Sequence, residues 1–121
     1  MSKKHVLVVD DEAIILHTIK DELIDEGYIV DTAKNGEEGL EKIKARYYDL
    51  VITDLIMSPK DGYDIINLVT NFNYETKIIV MTGYVNDFFS KESFNHGISI
   101  LMKPYSREEL VEKVRDCLMD S

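Results

Sequence analysis

Four points along the chain carry groups able to do acid–base or phosphoryl chemistry: Asp10-Asp11, Asp54, Thr82 and Lys103. Each follows a short apolar run. His5-Val6-Leu7-Val8-Val9 precedes the acid pair, Leu50-Val51-Ile52-Thr53 precedes Asp54, Lys77-Ile78-Ile79-Val80-Met81 precedes Thr82, and Ser99-Ile100-Leu101-Met102 precedes Lys103. Singly, each has a local explanation, since acids cap helices, Thr-Gly makes turns and a lysine is usually solvated. Together they are three carboxylates, a hydroxyl and an ammonium, all leaving apolar runs in the same chain direction. Adjacent parallel strands would bring them to one sheet edge, the edge where open α/β sheets build their sites. Crowded carboxylates repel, so either some stay protonated or a divalent cation sits among them. Oxygen-only ligands favour a hard ion, and a half-built site suits Mg²⁺, which keeps several waters. Such an ion bridges a phosphoryl group and neutralises charge as it transfers. Asp54 is then placed as a nucleophile forming an aspartyl phosphate, with Thr82 donating to one phosphoryl oxygen and Lys103 pairing with another.

The elements that must position these groups can be read from periodicity. The four apolar runs are too continuous for amphipathic helices and too short for buried ones, so they read as buried strands. Tyr28 to Ala33 alternates and reads as a further, edge-like strand. Between the strands the period becomes helical. Ile15, Ile19 and Leu23 recur over 12–26, with Asp11 as the cap and Gly27 as the terminator. Asn35-Gly36 breaks the chain before a helix over 37–47 carrying Leu40 and Ile43, and Ile65, Ile66 and Val69 mark another over 63–72. The stretch 86–96 is a weaker helix, diluted by Phe88, Phe89, Phe94, Ser and Asn. Ser106 and Glu109 form a capping box that opens the closing helix, with Leu110, Val114 and Leu118 as its stripe. Strands alternating with helices, and apolar throughout, predict an α/β fold: a doubly wound five-stranded parallel sheet flanked by five helices.

Composition narrows the function classes. The chain has 121 residues, 45% hydrophobic and 31% charged, which suits a single domain over 1–121. Fourteen Lys and Arg against 23 Asp and Glu leave a net charge of −9, unsuited to direct nucleic-acid binding. The single cysteine, Cys117, excludes an internal disulfide framework and fits a reducing compartment. The four apolar residues before Asp10 are too few for a signal peptide or a membrane span, so a cytoplasmic protein without membrane contact is expected.

The set Val9-Asp10-Asp11-Glu12, Asp49 to Asp54 with Met57 and Asp61-Gly62, Met81-Thr82-Gly83 and Lys103-Pro104-Tyr105 resembles the receiver domain of bacterial two-component response regulators. The resemblance covers essentially the whole chain. It implies a flavodoxin-like sheet of order 2-1-3-4-5. It further implies that Asp54 accepts the phosphoryl group, that Asp10, Asp11, Asp54 and the Ile56 carbonyl hold Mg²⁺, and that Thr82 and Lys103 sense the phosphate. A cis Lys103-Pro104 bond is implied as well, aiming Lys103 into the site. The implied partners are a sensor histidine kinase or histidine phosphotransfer protein upstream and a protein effector downstream.

The chain departs from the family pattern in three places. Its proline is Pro59, with Ser58 at the usual position; Ile100 stands where an aromatic switch residue is common; and Gly97 lies one residue closer to Lys103. In receivers the places two residues beyond Asp54 and Thr82, here Ile56 and Tyr84, border the path of hydrolytic water, so the resemblance implies slow self-dephosphorylation. Ile14, off the buried stripe of its helix, is a candidate docking residue for a kinase or phosphotransfer helix. His5, His17 and His96 show no metal-ligand spacing.

The chemistry as read is a switch that catalyses only its own phosphorylation and dephosphorylation, not an enzyme with an external substrate. The first reading is a stand-alone receiver; the second keeps the chemistry but makes the chain a receiver excised from a longer regulator or hybrid kinase. A small Mg²⁺-dependent aspartyl-phosphate phosphatase of haloacid-dehalogenase type would carry a second acid where Ile56 stands, and would need room for a cap domain. A degenerate receiver serving only as a binding module would not need intact Asp10, Asp11, Asp54, Thr82 and Lys103.

Overall fold

The strands run parallel in one sheet, and a computed structural model of the chain describes residues 3–54, 62–72, 75–83 and 98–119. They are β1 (His5–Val9), β2 (Ile29–Ala33), β3 (Leu50–Asp54), β4 (Lys77–Thr82) and β5 (Ile98–Met102), in the order β2-β1-β3-β4-β5. The described helices are α1 (Ala13–Asp25), α2 (Gly36–Ala45), α3 (Gly62–Phe72) and α4 (Arg107–Met119). The helix expected over 86–96 lies outside the described residues.

Side chains alternate across a strand, so each apolar run feeds two cores. Leu7, Val9, Val51, Ile78 and Val80 pack on one face against Ile43 of α2 and Ile65, Ile66 and Val69 of α3. Val6, Val8, Leu50, Ile52, Ile79 and Met81 pack on the other against Leu16, Ile19 and Leu23 of α1 and Leu110 and Val114 of α4. A sheet covered on both faces needs apolar residues at every position, which is why the strands read as unbroken runs. Burying each of these large side chains contributes roughly 1.5–3 kcal/mol before the entropy of ordering the chain is subtracted.

The helix ends follow local rules, with two departures from the expected ones. Gly27 adopts φ 98° after α1, and the chain closes a paired reverse turn: Gly27 N–H donates to the Ile24 carbonyl at 3.0 Å and Tyr28 N–H to that of Leu23 at 3.1 Å. Asn35 caps α2 by accepting from Glu38 N–H at 2.8 Å. The Ser106–Glu109 box is reciprocal, each side chain accepting from the other's N–H at 3.1 Å.

The first departure is that Asp11 does not cap α1. The cap position is Glu12, whose side chain makes no capping bond, and Asp10 Oδ1 accepts the Glu12 N–H at 2.9 Å instead. The second is that α2 stops at Ala45, because Arg46 turns to extended backbone and so delivers Tyr48 to the core. The buried stripe of α1 is also Leu16, Ile19 and Leu23, with Ile15 only partly covered. A strict four-residue repeat drifts by about 40° per step on a helix of 3.6 residues per turn, so Leu16 completes the stripe better.

Candidate functional site at the carboxyl edge of the sheet

Register brings the predicted groups together. Val9 of β1 pairs with Thr53 of β3, so Asp10 and Asp54 each stand one residue beyond a paired position on adjacent strands. Asp54 pairs with Met81, which places Thr82 one step further along β4. Lys103 continues the ladder past β5 by donating its N–H to the Thr82 carbonyl at 2.8 Å. The Lys103–Pro104 peptide bond is cis. Parity sets the face: Asp10 follows Val6 and Val8, Asp54 follows Leu50 and Ile52, and Lys103 follows Leu101, all on the face covered by α1 and α4.

Lys103 Nζ lies 2.9 Å from Asp54 Oδ2 with both side chains largely covered, so the pair is a charge-assisted hydrogen bond and not a loose surface contact. Burial alone would lower the lysine's pKa; the bond to Asp54 and the charges of Asp54, Asp10 and Glu12 outweigh it and raise the pKa above its ordinary value. Asp10 is fully buried. Its pKa is pushed up to about 6, chiefly by burial and further by the charges of Asp54 and Asp11, against the opposing Glu12 N–H bond and Lys103.

One carboxylate oxygen from each of Asp10, Asp11 and Glu12 lies within 4.8 Å of the other two. Asp10 Oδ2 is buried with no hydrogen-bond partner among the described residues. A buried orphan oxygen costs free energy unless something binds it. An all-oxygen donor set with that unpartnered oxygen fits a hard divalent cation, and Mg²⁺ needs only one or two carboxylates alongside its waters. Thr82 is buried at the end of β4. Tyr105 points into the same region: its hydroxyl donates to Met81 Sδ at 3.4 Å, and burial, with the charges of Asp10, Glu22 and Asp54 adding, pushes its pKa up to about 12.

Ile56 and Tyr84, expected to bear on the metal and on hydrolytic water, lie outside the described residues, as do Ser58, Pro59, Phe88, Phe89, Phe94, His96 and Gly97. Ile100 is half-buried and packs on the α2–α3 side of the sheet. Ile14 is 81% exposed, near the start of α1 beside the acidic edge. His5 Nδ1 faces an Arg46 guanidinium nitrogen at 3.0 Å, and His17 is exposed. The acid near the site that sequence reasoning left aside is Glu12. It was visible as the third acid of the run, but its approach to Asp10 depends on the turn into α1.

The chain belongs to the response regulator receiver domain family, whose model matches residues 6–115. It is 33% identical over 111 residues to the transcriptional regulatory protein DltR of Streptococcus agalactiae, covering 91% of this chain and 50% of that protein. Among solved structures it is similar to a CheY-like receiver domain protein of Methanospirillum hungatei, with TM-score 0.90 and 32% identity over 98% of this chain and 96% of that one. A two-component response regulator from Clostridium difficile matches with TM-score 0.85 and 30% identity over 98% of this chain and 100% of that one. The chain spans about half the length of the curated relatives it matches. Among the described residues, no helix is long and apolar enough to cross a membrane.

Proposed function

We propose that the chain is a phosphorylatable switch, accepting a phosphoryl group on Asp54 from the phosphohistidine of a sensor kinase or phosphotransfer protein. The observation that carries this reading is Asp54 at the carboxyl end of the central strand, 2.9 Å from Lys103 and beside the buried Asp10. An Asp54 carboxylate oxygen forms the new O–P bond as the P–N bond to the donor imidazole breaks. The electron pair stays on the imidazole nitrogen, which takes up a proton from water. Lys103 gives up its contact with the carboxylate and pairs with a phosphoryl oxygen, and the Thr82 hydroxyl donates to another. Asp10 and Asp11, with Asp54 and the Ile56 carbonyl, would hold Mg²⁺. When bound, the ion neutralises phosphoryl charge and removes the penalty of crowded carboxylates.

Output follows from the same pair. Lys103 and Thr82 are joined through the β4–β5 ladder, so drawing both towards a phosphoryl group biases that side of the sheet and the surfaces beyond it. The readout is contact with a protein effector, on a separate chain or on an attached segment. No external substrate is turned over, and a cytoplasmic location accords with the chemistry of the donor.

The deciding test is intact mass after incubation with acetyl phosphate and Mg²⁺. The parent gains one phosphoryl group and Asp54→Asn gains none. A parent that gains nothing would leave only a binding module, and steady turnover of a phosphomonoester would indicate a phosphatase.

A further inference from the structure

Tyr105 stands between the acidic edge and the seam where α1 meets α4. Two residues beyond Lys103, its partly buried ring packs against the core shared by the strands, α1 and α4. Its hydroxyl donates to Met81 Sδ at 3.4 Å, and Met81 is the residue opposite Asp54 in the β3–β4 ladder. A thioether sulfur is a weak acceptor, so this donor is held lightly. The charges of Asp10 and Asp54 act on the phenol from the site, and that of Glu22 from α1. Glu22 in turn lies in the field of Arg107 and Glu108, at the start of α4. Just past Tyr105, the Ser106–Glu109 box fixes the first turn of α4, and Arg107 pairs with Asp25 of α1 at 3.6 Å. Arg115 pairs with Glu26 at 3.4 Å further along the same seam. Exposed ion pairs of this kind each contribute little, so the seam is able to change its contacts at small cost.

We propose that Tyr105 is the positioning residue through which the phosphorylation state of Asp54 is passed to the α1–α4 seam. This rests on the reading of Asp54 as the phosphoacceptor and names the surface that reads its state. A phosphoryl group on Asp54 brings negative charge and strong acceptor oxygens beside a neutral donor held only by sulfur. Hydrogen bonds to an ionised acceptor are roughly twice as strong as neutral ones, so the Tyr105 hydroxyl leaves Met81 and turns towards the site, directly or through a water. The ring then shifts against α1 and α4, and the pairing of Arg107 with α1 is reset. Coupling of this kind is reciprocal, so a partner that prefers the reset seam favours the phosphorylated state.

The test is amide hydrogen exchange over 21–26 and 106–110, with and without acetyl phosphate and Mg²⁺, in the parent, Tyr105→Phe and Tyr28→Phe. Tyr28 packs against the same core, so its variant loses a hydroxyl there without touching the link to Met81. Intact mass confirms that all three gain the phosphoryl group to the same extent. Phosphorylation is expected to change exchange in both segments roughly fivefold in the parent and in Tyr28→Phe, and less than about twofold in Tyr105→Phe. A general loosening of the core would raise exchange in both states and leave that difference intact. A phosphorylated Tyr105→Phe that keeps the parent's change, or an equal loss in Tyr28→Phe, would overturn the role of Tyr105. A parent that gains the phosphoryl group with no change at the seam would overturn the coupling and leave the phosphoacceptor standing. A parent that gains no phosphoryl group would overturn both.

Discussion

Two polar clusters flank the sheet, and they are built on opposite terms. Around the amino ends of β1 and β3 and along the edge strand β2, the groups satisfy one another. Arg46 bridges to Asp31 at 3.5 Å, and Tyr48 donates its hydroxyl to the same carboxylate oxygen at 2.8 Å. Asp49 accepts the His5 N–H at 2.8 Å, and the Thr76 hydroxyl donates to the Tyr48 carbonyl at 2.8 Å. At the carboxyl edge, Asp54 pairs with Lys103, Asp10, Asp11 and Glu12 crowd together, and among the described residues one buried Asp10 oxygen has no partner. The first arrangement closes the fold. The second leaves crowded, buried charge that the proposed cation and phosphoryl group would relieve.

Substitutions should separate the two clusters, and the largest effect falls at Asp54. Asp54→Asn is expected to abolish phosphoryl gain altogether, read by intact mass with acetyl phosphate. Lys103→Met removes the cation that meets developing phosphoryl charge and should slow phosphoryl gain roughly 10²-fold, read by a time course at fixed Mg²⁺.

Asp10→Asn should act in two directions at once. It eliminates Mg²⁺ uptake, yet it makes the metal-free protein more stable at neutral pH by about 1–3 kcal/mol in urea titration, because a buried charge is replaced by a neutral isostere. A loss of stability in that variant would mean that the edge is not held under electrostatic load.

The same load sets a pH dependence. The folded pKa of Asp10 is about 6 against an ordinary 3.8, so the folded state holds the proton more tightly than the unfolded chain. Without metal, stability should therefore fall as pH rises from about 4 to about 6, by at most about 3 kcal/mol, and level off above. Asp10→Asn should flatten this slope. The smallest effect belongs to the satisfied cluster. Tyr48→Phe loses one hydrogen bond to Asp31, costs about 1 kcal/mol, and leaves phosphoryl gain unchanged.

The parts of the fold legible in the sequence are those governed by short-range rules. The strand runs, the Gly27 terminator, the Asn35 break and the Ser106–Glu109 box each depend on residues within one turn of each other. So does the placement of Asp54 at the end of β3. The misreadings arose where packing of the assembled fold chose between neighbouring local options. Asp11 was expected to cap α1, but the fold commits Asp10 to the Glu12 N–H. The second helix was expected to reach Tyr47, but burial of Tyr48 beneath the sheet ends it at Ala45. Leu16 displaced Ile15 because the stripe follows the surface it packs on, not a fixed repeat.

By itself the sequence determined the inventory: which acids, which hydroxyl and which lysine leave apolar strands, and in which chain direction. Tertiary structure decided which of them meet. Strand order sets β1 against β3, parity aims Asp10, Asp54 and Lys103 at one face, and the turn into α1 brings Glu12 beside them. Those decisions lie beyond local propensity, because they come from pairing strands far apart in the chain. Only the assembled sheet, by excluding water from Asp10, turns a run of ordinary carboxylates into a charged and unsatisfied site.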